Sequence, residues 1–473
     1  MTVPWWGVLP FAMLLGCIAT FPLIPQTKKL WHHIWFQLLV ALACGVPMGL
    51  WMWLGGNSHG VIHALVEYGQ FITLLLSLYV VSGGVFVSGD IRATPRNNVI
   101  FLLIGAVLAS FIGTTGAAML MIRPLLNINV ERENKVHTVV FAIFVVANCG
   151  GLLTPLGDPP LFLGMLRGVP FLWTMNLFPQ WLFVNGMLLM TYYALDRKLY
   201  SQETPAAIKL DDTQIRPLGV LGKLNFLWLA LIVVAVAKVP SVDLHAIFAG
   251  HAHWNHWIPF RETMMLSMAG LSLALSDKKV RFEDNKFEWG PIMEVAALFI
   301  GIFLAMIPAL VFLAQVAPTL PLNEITFFAF TGTLSSVLDN APTYVTFFEM
   351  ARELPGEPRI GFAPGVPELY LVSISLGAVF CGAITYIGNG PNFMVKAIAE
   401  SAKVAMPSFG GYTLKWAFRY LVPVLFIMVM IFIAQDWRIR GLGILWAVIR
   451  VAQELWQAHR YPDPHKQGVP RTP

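Results

Sequence analysis

Charge is what this sequence has least of. Asp, Glu, Lys and Arg make up 12% of its 473 residues, about half of the roughly 25% usual in soluble domains. Hydrophobic residues make up 57%, and the mean hydropathy is +0.67. Apolar runs cover too much of the chain for a soluble domain with one anchor, so the chain reads as a polytopic membrane protein. Cysteine is scarce as well. Cys17, Cys44, Cys149 and Cys381 all lie in apolar segments, which leaves no disulfide framework or zinc site and makes them small buried residues. There is no Walker A motif and no long soluble region, which argues against an ATP-driven pump. Met1 to Pro4 carries no basic stretch before the first apolar run, so no cleavable leader is expected. The net charge of +5 is spread over short loops, a pattern that suits membrane flanks and not nucleic acid.

What the chain does have is helix breakers in its apolar middle. Asn148-Cys149-Gly150-Gly151-Leu152-Leu153-Thr154-Pro155-Leu156-Gly157-Asp158-Pro159-Pro160 interrupts an apolar region and adds a carboxylate. Non-helical backbone at membrane depth is tolerated only where protein or a wet cavity surrounds it. An ionisable residue there points to a functional site. The stretch has a twin with one residue deleted: Cys381-Gly382-Ala383-Ile384-Thr385-Tyr386-Ile387-Gly388-Asn389-Gly390-Pro391-Asn392-Phe393. Duplicated, interrupted apolar segments in corresponding halves are the sequence mark of a secondary transporter's binding site.

About 20 apolar residues cross a bilayer, and basic loops mark the cytoplasmic side. Residues 5–25 go in from an external N-terminus, and 31–54 return outward. Residues 57–70 read as a polar connection or surface helix, and 71–88 go back in. Residues 98–127 carry a polar knot at Gly113-Thr114-Thr115-Gly116 and are basic at both flanks, which predicts a re-entrant hairpin with the two threonines at its tip. Residues 136–165 then cross with the first break, and 177–195 return inward.

After a cytoplasmic linker at 196–223, the scheme repeats. Spans are expected at 224–239, 263–275 and 291–316, and Lys278, Lys279, Arg281 and Lys286 mark the inside before the third. A second hairpin turns at Ser335-Ser336-Val337-Leu338-Asp339-Asn340-Ala341-Pro342. Residues 369–402 carry the twin break, and 412–434 form the last full span. Gly157 and Gly388 are 231 residues apart, and Thr115 and Asn340 are 225 apart. Each half has an odd number of full crossings, so the halves are inverted. The expected architecture is all-α, with repeats at 1–195 and 224–436 and an amphipathic basic tail at 437–473. The count puts that tail outside although it is basic (Arg438, Arg440, Arg450, Arg460, Lys466 and Arg471), and 441–458 is suited to the membrane surface.

Asp158 precedes two prolines and a helical run, so it is expected to cap a half-helix that starts inside the membrane. Asn389 and Pro391 imitate it. Thr115 and Asn340 are expected to cap the hairpin tips. The candidate site is then Thr114, Thr115, Asn148, Thr154, Gly157, Asp158, Asp339, Asn340, Thr385, Gly388 and Asn389. Four helix ends with hydroxyls, amides and free carbonyls suit a hard cation or an anion. Asp158 and Asp339 tilt the choice toward sodium, with exchange for protons. No cofactor is expected beyond the coupling ion. Glu294 reads as interfacial, Glu262 and Glu349 as span ends, and Arg123 and Lys396 as interfacial or paired, with Lys396 also placed to balance a site carboxylate. His245, His251, His253 and His256 read as a solvated loop more readily than as a metal site.

At these residues the chain resembles the ion transporter superfamily, which includes NhaD-type sodium/proton antiporters, arsenite permeases, citrate carriers of the CitMHS type and divalent-anion/sodium symporters. The runs Gly150 to Asp158 and Leu338 to Thr343 resemble the paired signatures of the antiporter and citrate-transport branches, and the resemblance covers residues 1–436. It implies inverted repeats, opposed hairpins, a midplane site, alternating access and a homodimer in a bacterial inner membrane. The Ser-Asn-Thr hairpin signature of the divalent-anion symporters is missing. The first expectation is a sodium/proton antiporter. Alternatives are an ion-coupled carrier of citrate or another organic anion, although Arg is absent from both breaks, and an arsenite carrier. An intramembrane aspartyl protease is disfavoured, because Pro155-Leu156 stands where its Gly-x motif would precede Gly157-Asp158.

Overall fold

A computed structural model describes residues 2–22, 24–213 and 215–461. It is almost wholly helical. In chain order the helices are α1 (Leu9–Thr20), α2 (Pro25–Trp31), α3 (Ile34–Leu54), α4 (Ser58–Ser82), α5 (Pro95–Ile112), α6 (Thr114–Ile128), α7 (Val136–Val145), α8 (Pro159–Leu166) and α9 (Phe178–Tyr200). They continue with α10 (Pro205–Thr213), α11 (Leu224–Lys238), α12 (Leu244–Phe248), α13 (Phe260–Leu275), α14 (Gly290–Val316), α15 (Glu324–Ser335), α16 (Asn340–Arg352), α17 (Glu368–Cys381) and α18 (Gly390–Ser401). The last two are α19 (Phe409–Ile433) and α20 (Trp437–Arg460). Short strands β1 (Phe86–Asp90) and β2 (Arg216–Leu221) pair antiparallel. Among the described residues, α3, α4, α5, α14 with its extension to Thr319, and α19 are each long and apolar enough to cross a membrane unaided. The protein is an all-α, multi-pass membrane protein.

The chain gathers into two units, and each takes residues from both sequence halves. The first comprises Met1–Val85, Pro159–Phe171 and Gly222–Ala378. Small residues Ala41, Gly45 and Gly49 let α3 lie close against Gly301 and Leu304 of α14, the packing that apolar helices use where lipid gives no hydrophobic drive. Helix α4 begins earlier than its sequence suggests. Residues 57–70 are no polar connection, because Asn57 caps the helix by accepting from the Gly60 N–H at 3.1 Å and Glu67 is drawn inside as an ion-pair partner. Arg281, one of the basic residues expected to mark the inner side, turns its side chain inward. Its guanidinium is buried, donates to the Val80 carbonyl and to Ser272 Oγ (2.7 Å for the latter), and lies over the Phe287 ring. It thereby clamps the end of α4 to α13.

The second unit comprises Phe86–Asp158, Leu172–Leu221 and Val379–Pro473. The chain turns between α5 and α6 at Gly113, whose φ of +82° is open to glycine at little cost. The two outer ends of this pair meet again. Asn98 near the start of α5 and Asn129 just past α6 exchange hydrogen bonds of 2.9 and 3.0 Å. Asn127 donates to the Gly89 carbonyl at 3.1 Å. Helices α5 and α6 therefore form a hairpin that returns to its starting side. Below it, Asp196 takes Arg132 at 2.7 Å and His137 at 2.8 Å, and Glu203 accepts from the Glu133 and Asn134 N–H groups. The β1–β2 ladder holds the linker to the segment that enters the hairpin.

Helix α20 runs alongside α9 in the same direction. Val448 and Val451 face Phe183 and Met187. Further along, Thr191 donates to Glu454 at 3.2 Å, and the Tyr461 carbonyl accepts from Arg197. Arg450 and Glu454 pair at 3.1 Å on the protein side, while Leu442, Leu445, Val448 and Leu455 are exposed. Exposed Trp437 and Trp456 lie 19 residues apart, about 28 Å along a helix at roughly 1.5 Å per residue. That separation matches the hydrocarbon core, with an aromatic at each interface. Helix α20 is not among the helices apolar enough to cross unaided; we propose that it is nonetheless a further span that ends on the side where α9 ends, with its last basic turn inside. Lys466 and Arg471 lie outside the described residues. Single cysteines replacing Asp436 and His459 test this. The expected result is labelling of the first by an impermeant maleimide on intact cells, and of the second only after permeabilisation. A surface-lying helix would label alike at both positions.

Candidate functional site

Irregular backbone inside a membrane must find partners for its own N–H and C=O groups, and the first break does so from three sides. From α5, Ser110 Oγ donates to the Gly150 carbonyl and accepts from the Leu153 N–H. From α9, Trp181 Nε1 donates to the Gly150 carbonyl at 3.0 Å, and Asn185 to that of Cys149 at 3.2 Å. Thr174 donates to the Leu153 carbonyl at 2.9 Å. Thr154 Oγ1 donates to the Ser110 carbonyl and accepts from the Leu156 N–H. The free carbonyls expected at this break are thus largely occupied. Sequence reading missed Ser110, Trp181 and Asn185, whose polar atoms have no visible purpose on apolar helices until the break is placed beside them.

The hairpin tip docks on the same segment. The Thr114 N–H donates to the Gly157 carbonyl at 2.8 Å, and Thr114 Oγ1 donates to Asp158 Oδ1 at 3.0 Å. Gly151 and Gly157 lie back to back, so a Cβ on either would meet the other's backbone well inside contact distance. Thr115 is not a cap, because Gly113 holds the N-cap position. Asp158 is buried and immediately precedes α8.

The twin break joins this cluster. Asn148 Nδ2 donates to Asn392 Oδ1 at 2.6 Å and to the Ile143 carbonyl. Asn389 Nδ2 donates to Asn148 Oδ1 at 3.1 Å and to the Ala147 carbonyl. Asn392 Nδ2 closes the set on the Gly382 and Thr385 carbonyls at 2.8 and 2.9 Å. Asn389 occupies the N-cap position of α18 without a side-chain capping bond, since its amide is spent across the two breaks. Thr385 Oγ1 accepts from the Ile387 and Gly388 N–H groups, just as Thr154 accepts from Leu156. Asn392 was legible only as part of the repeated pattern. Lys396 is no counter-charge for the break, because it pairs with Glu400 at 2.6 Å and lies over the Tyr386 ring.

Thr114, Thr115, Asn148, Thr154, Gly157, Asp158, Thr385, Gly388 and Asn389 thus belong to the second unit. Asp339 and Asn340 belong to the first. There Asp339, not Asn340, caps α16 by accepting from the Ala341 N–H at 3.0 Å. Ser335 of α15 donates to the Ala378 carbonyl at 2.7 Å, which fastens the second hairpin to α17. Half-helix α8 packs on α16, with Gly164 against the Tyr344 ring. Beyond it stands a cationic residue the sequence reading passed over. Arg167 is buried between Glu67 at 2.9 Å and Glu349 at 3.1 Å, and Glu349 also takes Arg352 at 2.8 Å. These groups and His63 line a cavity of about 300 Å³. Glu349 is therefore an ion-pair partner as well as a residue near a helix end. Glu262, in the first turn of α13, pairs with Arg261 at 2.8 Å, and Glu294 accepts from Gln37 at 2.8 Å. Among the described residues no cluster of three His, Cys, Asp or Glu side chains fits a metal, and His256 accepts from the backbone N–H of His253.

Comparison with known proteins now decides the class. A family model described as "Putative citrate transport" matches residues 1–433. The chain belongs to that family. Two curated relatives, uncharacterized transporters of Mycobacterium bovis and Mycobacterium tuberculosis, are each 26% identical over 348 residues, covering 69% of this chain and 74% of theirs. The protein is a transporter and not an enzyme.

Two outcomes follow. Gly157→Ala forces the Gly151 and Gly157 backbones apart and displaces Asp158, so transport should be lost while Gly186→Ala, where a Cβ meets nothing, transports as wild type. Arg167→Ala leaves Glu67 and Glu349 buried without their shared cation, a cost of about 3–5 kcal/mol. Thermal unfolding in detergent should show a large drop, partly restored by adding Glu67→Gln.

Proposed function

We propose that this transporter exchanges sodium, or another small cation, for protons, with Asp158 as the group that takes each in turn and Thr114, Thr154, Asn148, Thr385, Gly388 and Asn389 shaping its surroundings. The observation that carries this reading is the Asp158–Thr114 pair. A buried carboxylate with a hydroxyl at 3.0 Å, beside a break whose carbonyls are mostly committed, offers hard oxygen ligands of the kind a small cation takes. Asp339 at the cap of α16 supplies the corresponding carboxylate of the second hairpin, with Asn340 and Thr115 next to the tips. We further propose a bacterial inner (plasma) membrane location, supported by the mycobacterial relatives, and a homodimer, supported by the superfamily resemblance.

A second reading has its own support. The family's description names citrate, and Arg167 and Arg352 line a cavity beside their partners Glu67 and Glu349, where a polycarboxylate could take over the carboxylates' place on the guanidinium groups. In that case the Asp158 region holds only the coupling cation.

Proteoliposomes containing the purified chain and an internal pH probe separate the two. Sodium or lithium added alone should move protons, and Asp158→Asn should abolish the movement. If cations alone do nothing while labelled citrate is taken up in a sodium-dependent or proton-dependent way, the exchange reading fails and the carrier reading replaces it.

A further inference from the structure

The last two helices of the second unit carry features that the transport reading does not use. Where α9 and α20 end together, beside Arg419 and Tyr420 of α19, a cavity of about 520 Å³ opens. Four cationic side chains line it: Lys198, Arg419, Arg450 and Arg460. Its lining has one carboxylate, Glu454, already shared by Arg450 at 3.1 Å and Thr191 at 3.2 Å. Arg419 and Arg460 lie over the Tyr420 and Trp456 rings at 5.3 Å each. Such cation–π contacts engage the face of a guanidinium and leave its edge donors for an acceptor. The cavity therefore holds a clear excess of positive charge, and it is open enough that Arg419 and Arg460 are themselves exposed.

Directly along the same helix pair lies a second space with the opposite character. A groove of about 480 Å³ between α9 and α20 is lined by Phe183, Gly186, Met187, Val448, Val451 and Leu455, all apolar or glycine. Leu455 lines the groove, and its neighbours Glu454 and Trp456 line the basic cavity. The two are thus joined at one turn of α20. The basic end sits where α9 carries Arg197 and Lys198 in its last turn, the end that charge distribution assigns to the cytoplasm. An exposed tryptophan marks the headgroup level there.

We propose that α9, α19 and α20 form a binding site for an anionic phospholipid of the inner leaflet, with the phosphate in the basic cavity and an acyl chain in the adjoining groove. The occupant is a lipid and not a soluble phosphate, because a phosphate ion has no use for the groove. It is an anionic lipid because a zwitterionic headgroup would bring its own ammonium into a cavity already rich in cations. Basic pockets between membrane helices on the cytoplasmic side recognise lipids by this chemistry. None of the four cations belongs to the breaks, so the proposal stands whatever the transported ion proves to be.

The test is the thermal stability and native mass spectrum of the full chain, purified in a mild detergent and supplied with dioleoyl-phosphatidylglycerol, dioleoyl-phosphatidylcholine, or glycerol phosphate. Phosphatidylglycerol should raise the melting temperature and appear as a retained adduct. Phosphatidylcholine and glycerol phosphate should do neither. The increment should shrink at about 0.5 M salt, where exposed charges are screened within a few ångströms. Arg419→Gln with Arg460→Gln should weaken lipid retention by roughly tenfold to thirtyfold while leaving stability in phosphatidylcholine unchanged. Val448→Trp, which fills the groove, should do the same through the chain. Equal stabilisation by both lipids overturns the headgroup assignment. Equal stabilisation by glycerol phosphate replaces the lipid with a soluble anion. If α20 proves instead to be covered by a second copy, seen as a lipid-free dimer in the mass spectrum, the proposal is also lost. Should the double variant fold poorly, the salt dependence and the lipid comparison on the wild-type chain decide alone.

Discussion

Everything at the two breaks depends on one constraint: a peptide group that leaves a helix inside a membrane must be hydrogen-bonded by the protein, since lipid offers nothing. The breaks exist because glycine and proline remove helical bonds, and each bond removed creates a debt that some other side chain has to meet. Ser110, Trp181, Asn185 and Thr174 meet it for the first break. Asn392 and Thr385 meet it for the second. The polar residues on otherwise apolar helices are where they are because the breaks are where they are. The helices α5 and α9 are held against the break by the same bonds that satisfy it, so the breaks also organise the unit around them.

The three asparagines are the clearest expression of this. An amide is both donor and acceptor. Asn148 and Asn392 use both capacities and Asn389 donates, and together they join segments more than two hundred residues apart. A hydroxyl is too short for this reach, and a carboxylate has no donor. This explains why the second break carries a neutral amide at 389 where the first carries the carboxylate of Asp158. Only one of the two positions can be a bridge and leave the other as a charged group.

Much of this was legible in the sequence because it rests on residue types that few environments tolerate. The broken segments announced themselves by glycine, proline and a carboxylate in apolar surroundings, and the first hairpin by basic flanks on both sides of a polar knot. The caps were misread. Thr115 and Asn340 looked suitable, but the turn geometry gave the position to Gly113 and the capping bond to Asp339, a choice of one residue that spacing alone does not make. The polarity of residues 57–70 suits either a connection or a surface helix, and the segment is helical. Polarity on a membrane helix has two causes, exposure to water and pairing inside, and Glu67 with Arg167 is the second. On α20, Arg450 and Glu454 likewise pair with each other on the protein side. Arg281 is a basic residue at a helix end whose side chain turns inward.

The bond between Thr114 and Asp158 has one more property. While the carboxylate is charged it can only accept, so the hydroxyl must give its proton to it. Once the carboxyl carries a proton of its own, it can donate and the hydroxyl can receive. A protonated carboxyl also keeps an acceptor oxygen, so the pair can hold with either polarity. The hydroxyl that turns belongs to the first residue of α6, whose backbone N–H is fixed to Gly157. The tip of the hairpin therefore stays attached to the break in both charge states of Asp158. A change of charge at Asp158 is thus able to turn the dipole at that tip while its backbone attachment is kept.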